Sequence, residues 1–427
     1  MSLADSFRAI ATPARIAAFA AVFAFGVIVF GAFVRLSDAG LSCPDWPTCY
    51  GKATWPGHGE EIARANEAFP DRPFETHKAW REQVHRMLAG TLGVLVLALA
   101  VTVAWRRRGL LAMLALAAIS AAVGIFFYVR HAYVLSGALS LVAIALPLVA
   151  AFRLDRPAPW RVAVAVLAVV VFQAMLGMWT VTLLLKPVVV MGHLLGGLLT
   201  FALLSYVALK LTATHQPTPA QRALRRAVVI GLVLLACQIA LGGWTSANYA
   251  ALACGFDFPH CRGLWWPPTD FREGFVLWRG IGVNYEGGVL DAPARAAIQI
   301  AHRIGALVVF CYLGWLAHKL ARAKLRGVGI VLGVLDAPLK QIVNNCGLSG
   351  SVIADEVSQK SNNIGYDANA GEFVDMMKAG ILDPTKVVKT ALTNAASISG
   401  LILTTEALVT NFDSKDDAKK AVVGSIR

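Results

Sequence analysis

The sequence predicts an all-α polytopic membrane protein with two pseudo-repeated helical bundles, the second truncated, followed by a small soluble helical tail. The 427 residues are 57% hydrophobic with a mean hydropathy of +0.61, too apolar for an ordinary soluble domain. Apolar runs of roughly 20 residues, the length that crosses a bilayer, recur as far as residue 320. A polar loop with two cysteines, followed by a His-Arg pair, occurs twice, which indicates an internal repeat.

The apolar runs predict eight membrane spans. They lie near 14–35, 79–104, 109–129, 132–152, 160–184, 188–211, 224–247 and 294–318. A further run at 327–335 is too short to cross. The first span lacks a small-residue cleavage pattern, so we expect a retained helix and not a signal peptide.

The net charge of +13 predicts how the spans are oriented. Residues 337–427 carry 9 Lys and Arg against 10 Asp and Glu, so the basic excess belongs to the membrane part. It concentrates in alternate short turns, which the positive-inside rule assigns to the cytoplasm together with the amino terminus. Nucleic-acid binding is not expected, because the charges flank apolar spans and do not form one patch.

The two longest polar loops, 36–77 and 248–292, therefore lie on the outer side. One contains LSCPDWPTCYG and the other LACGFDFPHCRG. Each first cysteine comes 12 positions after a glycine, Gly31 or Gly242. Close cysteines on the oxidising side favour disulfides, and a metal site is the alternative because histidines are present in the loops. The cysteines are Cys43, Cys49, Cys254 and Cys261, and the histidines are His58, His77 and His260.

The repeat divides the chain into three parts. Residues 1–212 form the first membrane half, with an inserted helical pair at about 109–156. Residues 213–336 form the truncated second half, and 337–427 form a tail that does not resemble a membrane segment.

Three histidines lie at or within spans, where ionisable groups are costly and usually functional: His85, His193 and His302. Two imidazoles on separate helices of the first half can face each other across a bundle, as a six-coordinate haem iron requires. The other interpretation of each histidine is a hydrogen bond between helices. Small residues such as Gly196 and Gly305 follow the histidines, which favours either a flat macrocycle or close helix packing. The spacing of the first half predicts a partner for His302 near position 360, but no histidine follows His318.

Glu82 precedes His85 by three residues, so both project from one helix face. Its carboxylate could orient a ligand, hold a proton or stabilise positive charge, and a solvated interfacial glutamate is the alternative. Gln299 has the same offset from His302, so the two halves differ in charge at this position.

Arginines and glutamines near these histidines are further candidates. Arg35, Arg86 and Arg303 could pair with haem propionates, or could simply extend to the membrane interface. The stretches FQAMLGMWTV (172–181) and CQIALGGWTS (237–246) share buried amides and hydroxyls, for which hydrogen bonds between helices are favoured over a porphyrin edge.

The residues of the first three quarters resemble the haem A synthase family, Cox15/CtaA. The resemblance covers about 1–335 and rests on GAFVRLSDAGLSCPDWPTCYG, EQVHRMLAG, LLLKPVVVMGHLLGG and ARAAIQIAHRIGA, which occur in family order. From 337 onward, APLKQIVNNCG and the residues after it resemble the last equatorial segment of a group I chaperonin, so the chain looks like a fusion.

The resemblance implies an oxidoreductase of the bacterial inner membrane that acts on a CH or CH2 group. The family oxidises the C8 methyl of haem O to the formyl of haem A for terminal oxidases, which makes haem O synthase and cytochrome oxidase assembly factors expected partners, with lipid around the spans. It implies His85 and His193 as ligands of the substrate iron and Glu82 as the catalytic carboxylate. It also implies His302 as one ligand of a haem b cofactor.

The same resemblance implies the Cys43–Cys49 disulfide and its counterpart Cys254–Cys261. The sequence departs from the family in the pair near 109–152 and in the absence of the last two helices. Two other function classes fit the residues: a cytochrome b-type electron carrier that modifies nothing, and a membrane scaffold with structural histidines.

Overall fold

A computed structural model of the chain describes residues 12–212, 219–255, 257, 259–322, 349–360, 363–367 and 370–380. The chain divides into two compact units, Met1–Lys319 and Leu320–Arg427.

Eight helices in the described part of the first unit are long and apolar enough to cross a membrane, so the protein is a multi-pass membrane protein. They are α1 (Pro13–Leu36), α3 (Thr76–Ala104), α4 (Arg108–Val129), α5 (Tyr133–Arg153), α6 (Ala158–Thr182), α7 (Pro187–Thr212), α8 (Pro219–Ala247) and α10 (Ala292–Arg322). Two short helices, α2 (Gly59–Ala68) and α9 (Phe271–Gly274), lie in the long loops. The eight predicted spans are confirmed.

Local sequence signals fix where several of these helices begin. Pro13, Pro187 and Pro219 each open a helix, where the missing backbone N–H would have had no partner anyway. The hydroxyl of Thr12 accepts a hydrogen bond from the Arg15 N–H at 3.4 Å, which caps α1.

Four helices of the first half close into a ring. Helix α1 packs against α3 and α7, and α6 packs against the same two helices, so α3 and α7 occupy opposite corners. The contacts inside the ring are made by small and branched residues, including Ala20, Ala24, Val96, Leu99, Val164, Leu204 and Val207. Helices α4 and α5 form a hairpin that packs against α3 and α6. The four-helix ring is complete without this hairpin. The position of α4 and α5 therefore agrees with an inserted helical pair, and the insertion itself stays a prediction.

The second half contributes two described spans, α8 and α10. Helix α8 packs on α7, where Gly243 lies against Leu194. The Tyr312 hydroxyl donates to the Ala227 carbonyl at 2.9 Å and joins α10 to α8.

Both long loops carry the disulfide that the sequence led us to expect. Cys43 is bonded to Cys49, and Cys254 to Cys261. The alternative of a loop metal site is not supported, because residues 12–212, 219–255, 257, 259–322 and the described parts of the tail contain no group of three or more His, Cys, Asp or Glu that could hold a metal ion.

The described part of the second unit contains helix α11 (Gly350–Ser358) and an antiparallel pair of strands, β1 (Ile364–Asp367) and β2 (Glu372–Asp375). The rings of Tyr366 and Phe373 meet across the pair with centroids 5.3 Å apart. This hairpin was not foreseen in a tail expected to be helical, since four-residue strands leave little periodic signal. The short run at 327–335 lies outside the described residues.

Candidate functional site

The centre of the four-helix ring brings two histidines together. His85 on α3 and His193 on α7 have ring centroids 6.5 Å apart and ring planes at 87°. The helices that carry them are diagonal and not adjacent, so the rings meet across the middle of the bundle. His85 lies about 14 Å along α3 from Thr76, which places the pair inside the membrane but close to the end of α3 that adjoins the first disulfide loop.

Each intramembrane histidine packs against a glycine of a neighbouring helix. A Cβ at Gly31 would lie 2.7 Å from Cε1 of His85, and a Cβ at Gly242 would lie 3.3 Å from Cε1 of His302. For Gly177 and His193 the same distance is 3.4 Å. The two glycines aligned in the loop repeat, 31 and 242, therefore make room for an imidazole.

Two glutamines orient two of the three imidazoles. With its amide turned to satisfy its hydrogen bonds, Gln173 donates from Nε2 to Nδ1 of His193 at 2.9 Å and to the His193 carbonyl at 3.1 Å. Nε2 of Gln238 lies 2.8 Å from Nδ1 of His302 and donates to the His302 carbonyl at 3.0 Å. The prediction of hydrogen bonds between helices is confirmed for both amides, but the sequence did not reveal that the partners are the histidines.

The glycines that follow two histidines allow close helix packing, one of the two alternatives that the sequence left open. A Cβ at Gly196 would overlap the Gln173 amide, and a Cβ at Gly305 would lie 2.3 Å from Oε1 of Gln238. These positions are small because the glutamine side chains cross them. Both quoted stretches place a glycine four residues after the glutamine, Gly177 after Gln173 and Gly242 after Gln238. This shared spacing was the sequence signal that could have identified the two glutamines.

His85 differs from the other two histidines in its hydrogen bonds. Its Nδ1 atom is buried and has no hydrogen-bond partner in the described part of the chain. Val27 occupies the α1 position that corresponds to Gln173 and Gln238, four residues before the packing glycine. His85 is therefore free to place its ring proton on either nitrogen.

Glu82 lies beneath the first disulfide loop and is not solvated. Its side chain is only 6% exposed. One carboxylate oxygen accepts from the Cys43 N–H at 2.8 Å and from the Ser42 hydroxyl at 3.0 Å. The other accepts from Nη2 of Arg86 at 2.5 Å. A buried ionised carboxylate needs such partners to offset its lost hydration.

Gln299 has the same position in the second half and uses a neutral amide. Its Oε1 accepts from the Cys254 N–H at 2.6 Å, and its Nε2 donates to the Ala251 carbonyl at 2.7 Å. The contact with the backbone N–H of the first loop cysteine therefore requires a hydrogen-bond acceptor, and a neutral amide is sufficient. In the first half the charge of Glu82 is paired with Arg86.

Two of the candidate arginines hold loop carbonyls. Nη1 of Arg86 donates to the carbonyls of Asp45 at 2.8 Å and Thr48 at 2.7 Å. Nη1 of Arg303 donates to the His260 carbonyl at 2.8 Å.

Arg35, near the end of α1, joins the two halves. It donates to the Ser246 carbonyl at 2.9 Å and stacks over the ring of Tyr249 at 4.5 Å. Beside it is an open cavity of about 550 Å³, to which Asp38 and Glu286 also contribute.

Lys186 is a buried cation that the sequence reasoning missed. The residue is 1% exposed, and its Nζ donates to the carbonyls of Arg279 at 2.5 Å and Gly280 at 3.0 Å. It also lies 3.4 Å from the centre of the Trp278 ring. Its contacts fasten the second outer loop to the start of α7, seven residues before His193.

Hydrogen bonds hold the first disulfide loop, residues 36–77, in place around the disulfide. Asp45 accepts hydrogen bonds from the N–H groups of Tyr50 at 2.6 Å and Gly51 at 2.8 Å. Burial raises the pKa of Tyr50 to about 12, and its hydroxyl donates to the Arg72 carbonyl at 3.0 Å. The loop therefore forms a fixed cover over Glu82 and the outer end of α3.

The centroid separation of the histidine pair matches that of two imidazoles bound to one iron. A metal bonded to two facing imidazole nitrogens at about 2 Å each brings the ring centroids to roughly 6 Å, close to the separation of His85 and His193. Because Gln173 occupies Nδ1 of His193, Nε2 is the nitrogen left to face a metal, and metal binding there requires the ring proton on Nδ1 with Oε1 of Gln173 as its acceptor.

Comparison with known proteins agrees with this geometry. The sequence profile of the COX15-CtaA family, described as cytochrome oxidase assembly protein, matches residues 14–131 and 130–337. The chain belongs to the COX15-CtaA family. A heme A synthase of Shewanella oneidensis is 36% identical over 314 residues, which are 73% of this chain and 80% of that protein. No solved structure matches the chain.

The COX15-CtaA match and a second match overlap near the end of α10. The TCP-1/cpn60 chaperonin family matches residues 316–412. The similarity to a chaperonin segment thus begins within the last membrane helix, and the fusion expected from the sequence agrees with both matches.

Proposed function

We propose that this COX15-CtaA protein is a haem A synthase, which oxidises the C8 methyl of haem O to the formyl group of haem A. The observation that carries the proposal is the convergence of His85 and His193 at 6.5 Å from opposite corners of the ring. In this proposal the two imidazoles bind the iron of haem O from its two faces and hold the macrocycle across the bundle. Membership of the family and the similarity to a heme A synthase support it.

Conversion of a methyl to a formyl group, through an alcohol and a hydrated aldehyde, takes up one oxygen atom from water and releases four electrons and four protons. No side chain accepts these electrons alone, so a redox cofactor is required. We assign this role to haem b, which when bound would pass the electrons one at a time to an external acceptor, and His302 is a residue that would hold it. The role of Gln238 is then to fix the orientation of that imidazole.

Glutamine amides suit both states of a ligand histidine. A ring nitrogen that binds metal leaves the proton on the other nitrogen, which must then donate. Rotation of the Gln173 amide presents Oε1 as the acceptor for Nδ1–H of His193, and the opposite orientation donates to Nδ1 when no metal is bound. Gln173 can therefore stay bonded to Nδ1 of His193 in both states, and in the metal-bound state it gives up its bonds to the His193 carbonyl and the Gly197 N–H.

Glu82 is the proposed catalytic carboxylate. It lies one helical turn from His85, on the same face of α3, where i and i+3 side chains are neighbours. Its charge stabilises positive charge that develops on the substrate carbon, and its oxygens can hold a proton that leaves this carbon. The Arg86 ion pair and the Cys43 hydrogen bond fix its position.

Haem propionates are proposed to lie at the outer face. Arg35, Arg86 and Arg303 are the candidate partners, and an open cavity of about 550 Å³ lies beside Arg35. We further place the protein in the bacterial cytoplasmic membrane with a cytoplasmic amino terminus. There it would receive haem O from haem O synthase and serve cytochrome oxidase assembly.

The direct test is product formation by the full chain. Cells that make haem O and lack any other source of haem A are supplied with the gene, and extracted haems are separated by chromatography. We expect the C8 alcohol and the formyl product with the native chain, and neither with His85→Ala. Absence of both products with the native chain, when the purified protein binds haem O, would contradict the proposal.

A further inference from the structure

An apolar groove runs along the lipid-facing side of α1 and α3. Its volume is about 350 Å³, within the roughly 300–1,000 Å³ range of ligand pockets. Apolar side chains and one glycine line it, chiefly Phe19, Phe23, Gly26, Val27 and Phe30 of α1 and Leu88 of α3. The groove is open to lipid, since Phe19 and its neighbour Val22 are exposed.

One end of this groove reaches the iron-binding pair. The ring of Phe30 stacks against that of His85, with centroids 6.5 Å apart and planes at 19°. Leu88 follows His85 by one helical turn. The other end, at Phe19, is eleven residues earlier on α1, or about 16 Å along the axis. The groove thus leads from His85 along the apolar interior of the membrane.

Gly26 is the residue that opens the groove. The structure contains three comparable helix pairs, in which a glycine of one helix packs against the histidine of the next: α1–α3, α6–α7 and α8–α10. Five residues before this glycine the three pairs have Gly26, Phe172 and Cys237. Gly26 lines the groove, and a Cβ placed on it would meet no atom within 4 Å, so this position faces open space.

Val27, beside Gly26, is a second position at which the α1–α3 pair differs from the other two helix pairs. Val27 is apolar, whereas Gln173 and Gln238 occupy the same position in the other pairs and point to their histidines. Of the three described pairs, α1–α3 alone combines an uninterrupted apolar surface with an open glycine. It also carries Glu82, the carboxylate assigned to the reaction.

We propose that this groove binds the isoprenoid tail of the substrate porphyrin. The proposal rests on the proposed function, because haem O carries a long apolar tail of isoprene units and haem b does not. With the iron held by His85, a tail that leaves the porphyrin edge near Phe30 can extend past Gly26 and be buried without any polar partner. The α8–α10 pair, assigned to the tailless haem b, has Cys237 in place of the glycine.

The test compares two porphyrins that differ in the tail. The full chain carries His302→Ala, so that the Soret band reports iron binding at His85 and His193, and it is titrated with haem O and with haem B. Gly26→Leu fills the groove, and Gly90→Leu is the matched control because Gly90 is exposed on α3, has open space around it and lies outside the groove.

We expect Gly26→Leu to weaken haem O binding about tenfold relative to haem B, the effect of excluding roughly two methylene groups from an apolar site. Gly90→Leu should leave this ratio unchanged, and Gly26→Ala should give a smaller shift of the same sign. Haem B binding by each variant verifies that it is folded.

Two results would overturn the inference, and they differ in meaning. If the ratio of haem O to haem B affinity is unchanged in folded Gly26→Leu, the groove holds only a lipid acyl chain. That result overturns the tail site and leaves the proposed function intact. A chain that binds neither porphyrin at His85 and His193 overturns the proposed function together with the tail site.

Discussion

The backbone N–H of Cys43 donates to the carboxylate of Glu82 at 2.8 Å, so the first disulfide loop and the proposed catalytic carboxylate are joined directly. In the second half, the N–H of Cys254 makes the same bond to the neutral amide of Gln299 at 2.6 Å. The two halves share one loop attachment and differ by one negative charge.

This difference allows the charge of Glu82 to be tested separately from its structural contact. Glu82→Gln should keep the loop attached, as Gln299 does, while product formation falls by at least about 100-fold, the usual contribution of a catalytic acid or base. The measurement is haem A formation per bound haem O.

The comparison variant for Glu82→Gln is Gln299→Glu, which keeps the acceptor for the Cys254 N–H and loses the donor to the Ala251 carbonyl. It changes the loop contact of the second half only, so it should lower product formation far less than Glu82→Gln does. Glu82→Ala should also lose product, with an unaltered haem spectrum. If Glu82→Gln made haem A at the native rate, the role of the carboxylate would be structural, and the interpretation of the protein as an electron carrier would be favoured.

The two glutamines predict separate effects on the two iron sites. Gln173→Leu removes the hydrogen bond to His193 and should weaken iron binding at the first site by roughly 10–100-fold, as loss of such a supporting bond does elsewhere. Gln238→Leu should do the same at His302 and spare the first site. Porphyrin titration of each variant measures this.

Gln173→Glu is the conservative control, since its carboxylate still accepts from Nδ1–H of a metal-bound His193. It should bind iron more tightly than Gln173→Leu. Equal losses at both sites from either leucine variant would indicate a general packing defect.

The glycines that face the imidazoles predict a graded series. Gly31→Ala places a methyl 2.7 Å from His85, closer than real contacts allow, and should displace the ring at a cost of about 1–3 kcal/mol. Gly177→Ala places a methyl at an ordinary 3.4 Å from His193 and should be tolerated. Iron affinity and thermal unfolding in detergent are the two readouts, and a larger loss from Gly177→Ala would contradict the arrangement.

Lys186 predicts a link between the halves. Lys186→Met removes the ammonium bonded to the carbonyls of Arg279 and Gly280, which should loosen the second outer loop. We expect faster proteolysis within 276–290, whereas Lys210→Met, at the end of α7, should leave the cleavage rate unchanged. Equal rates in both variants and the native chain would show that other contacts hold this loop.

The sequence predicted the spans and the disulfide loops well because both depend on local chemistry. Apolar run length decides which segments cross a bilayer, and prolines such as Pro187 mark where helices begin. The candidate site was predicted only in part. His85 and His193 were recognised, but the roles of Gln173 and Gln238 were not, because a buried amide shows its partner only after the helices are packed.

The sequence by itself determined the number of spans, the repeat of the cysteine loops and the residue types that can bind an iron, since each follows from neighbours along the chain. Only the tertiary structure decided that α3 and α7 are diagonal, that Glu82 is covered by the Cys43 loop, and that Gly26 opens a groove beside His85. These relationships join residues tens of positions apart, and their distances are set by how side chains of different helices pack, which no local pattern specifies.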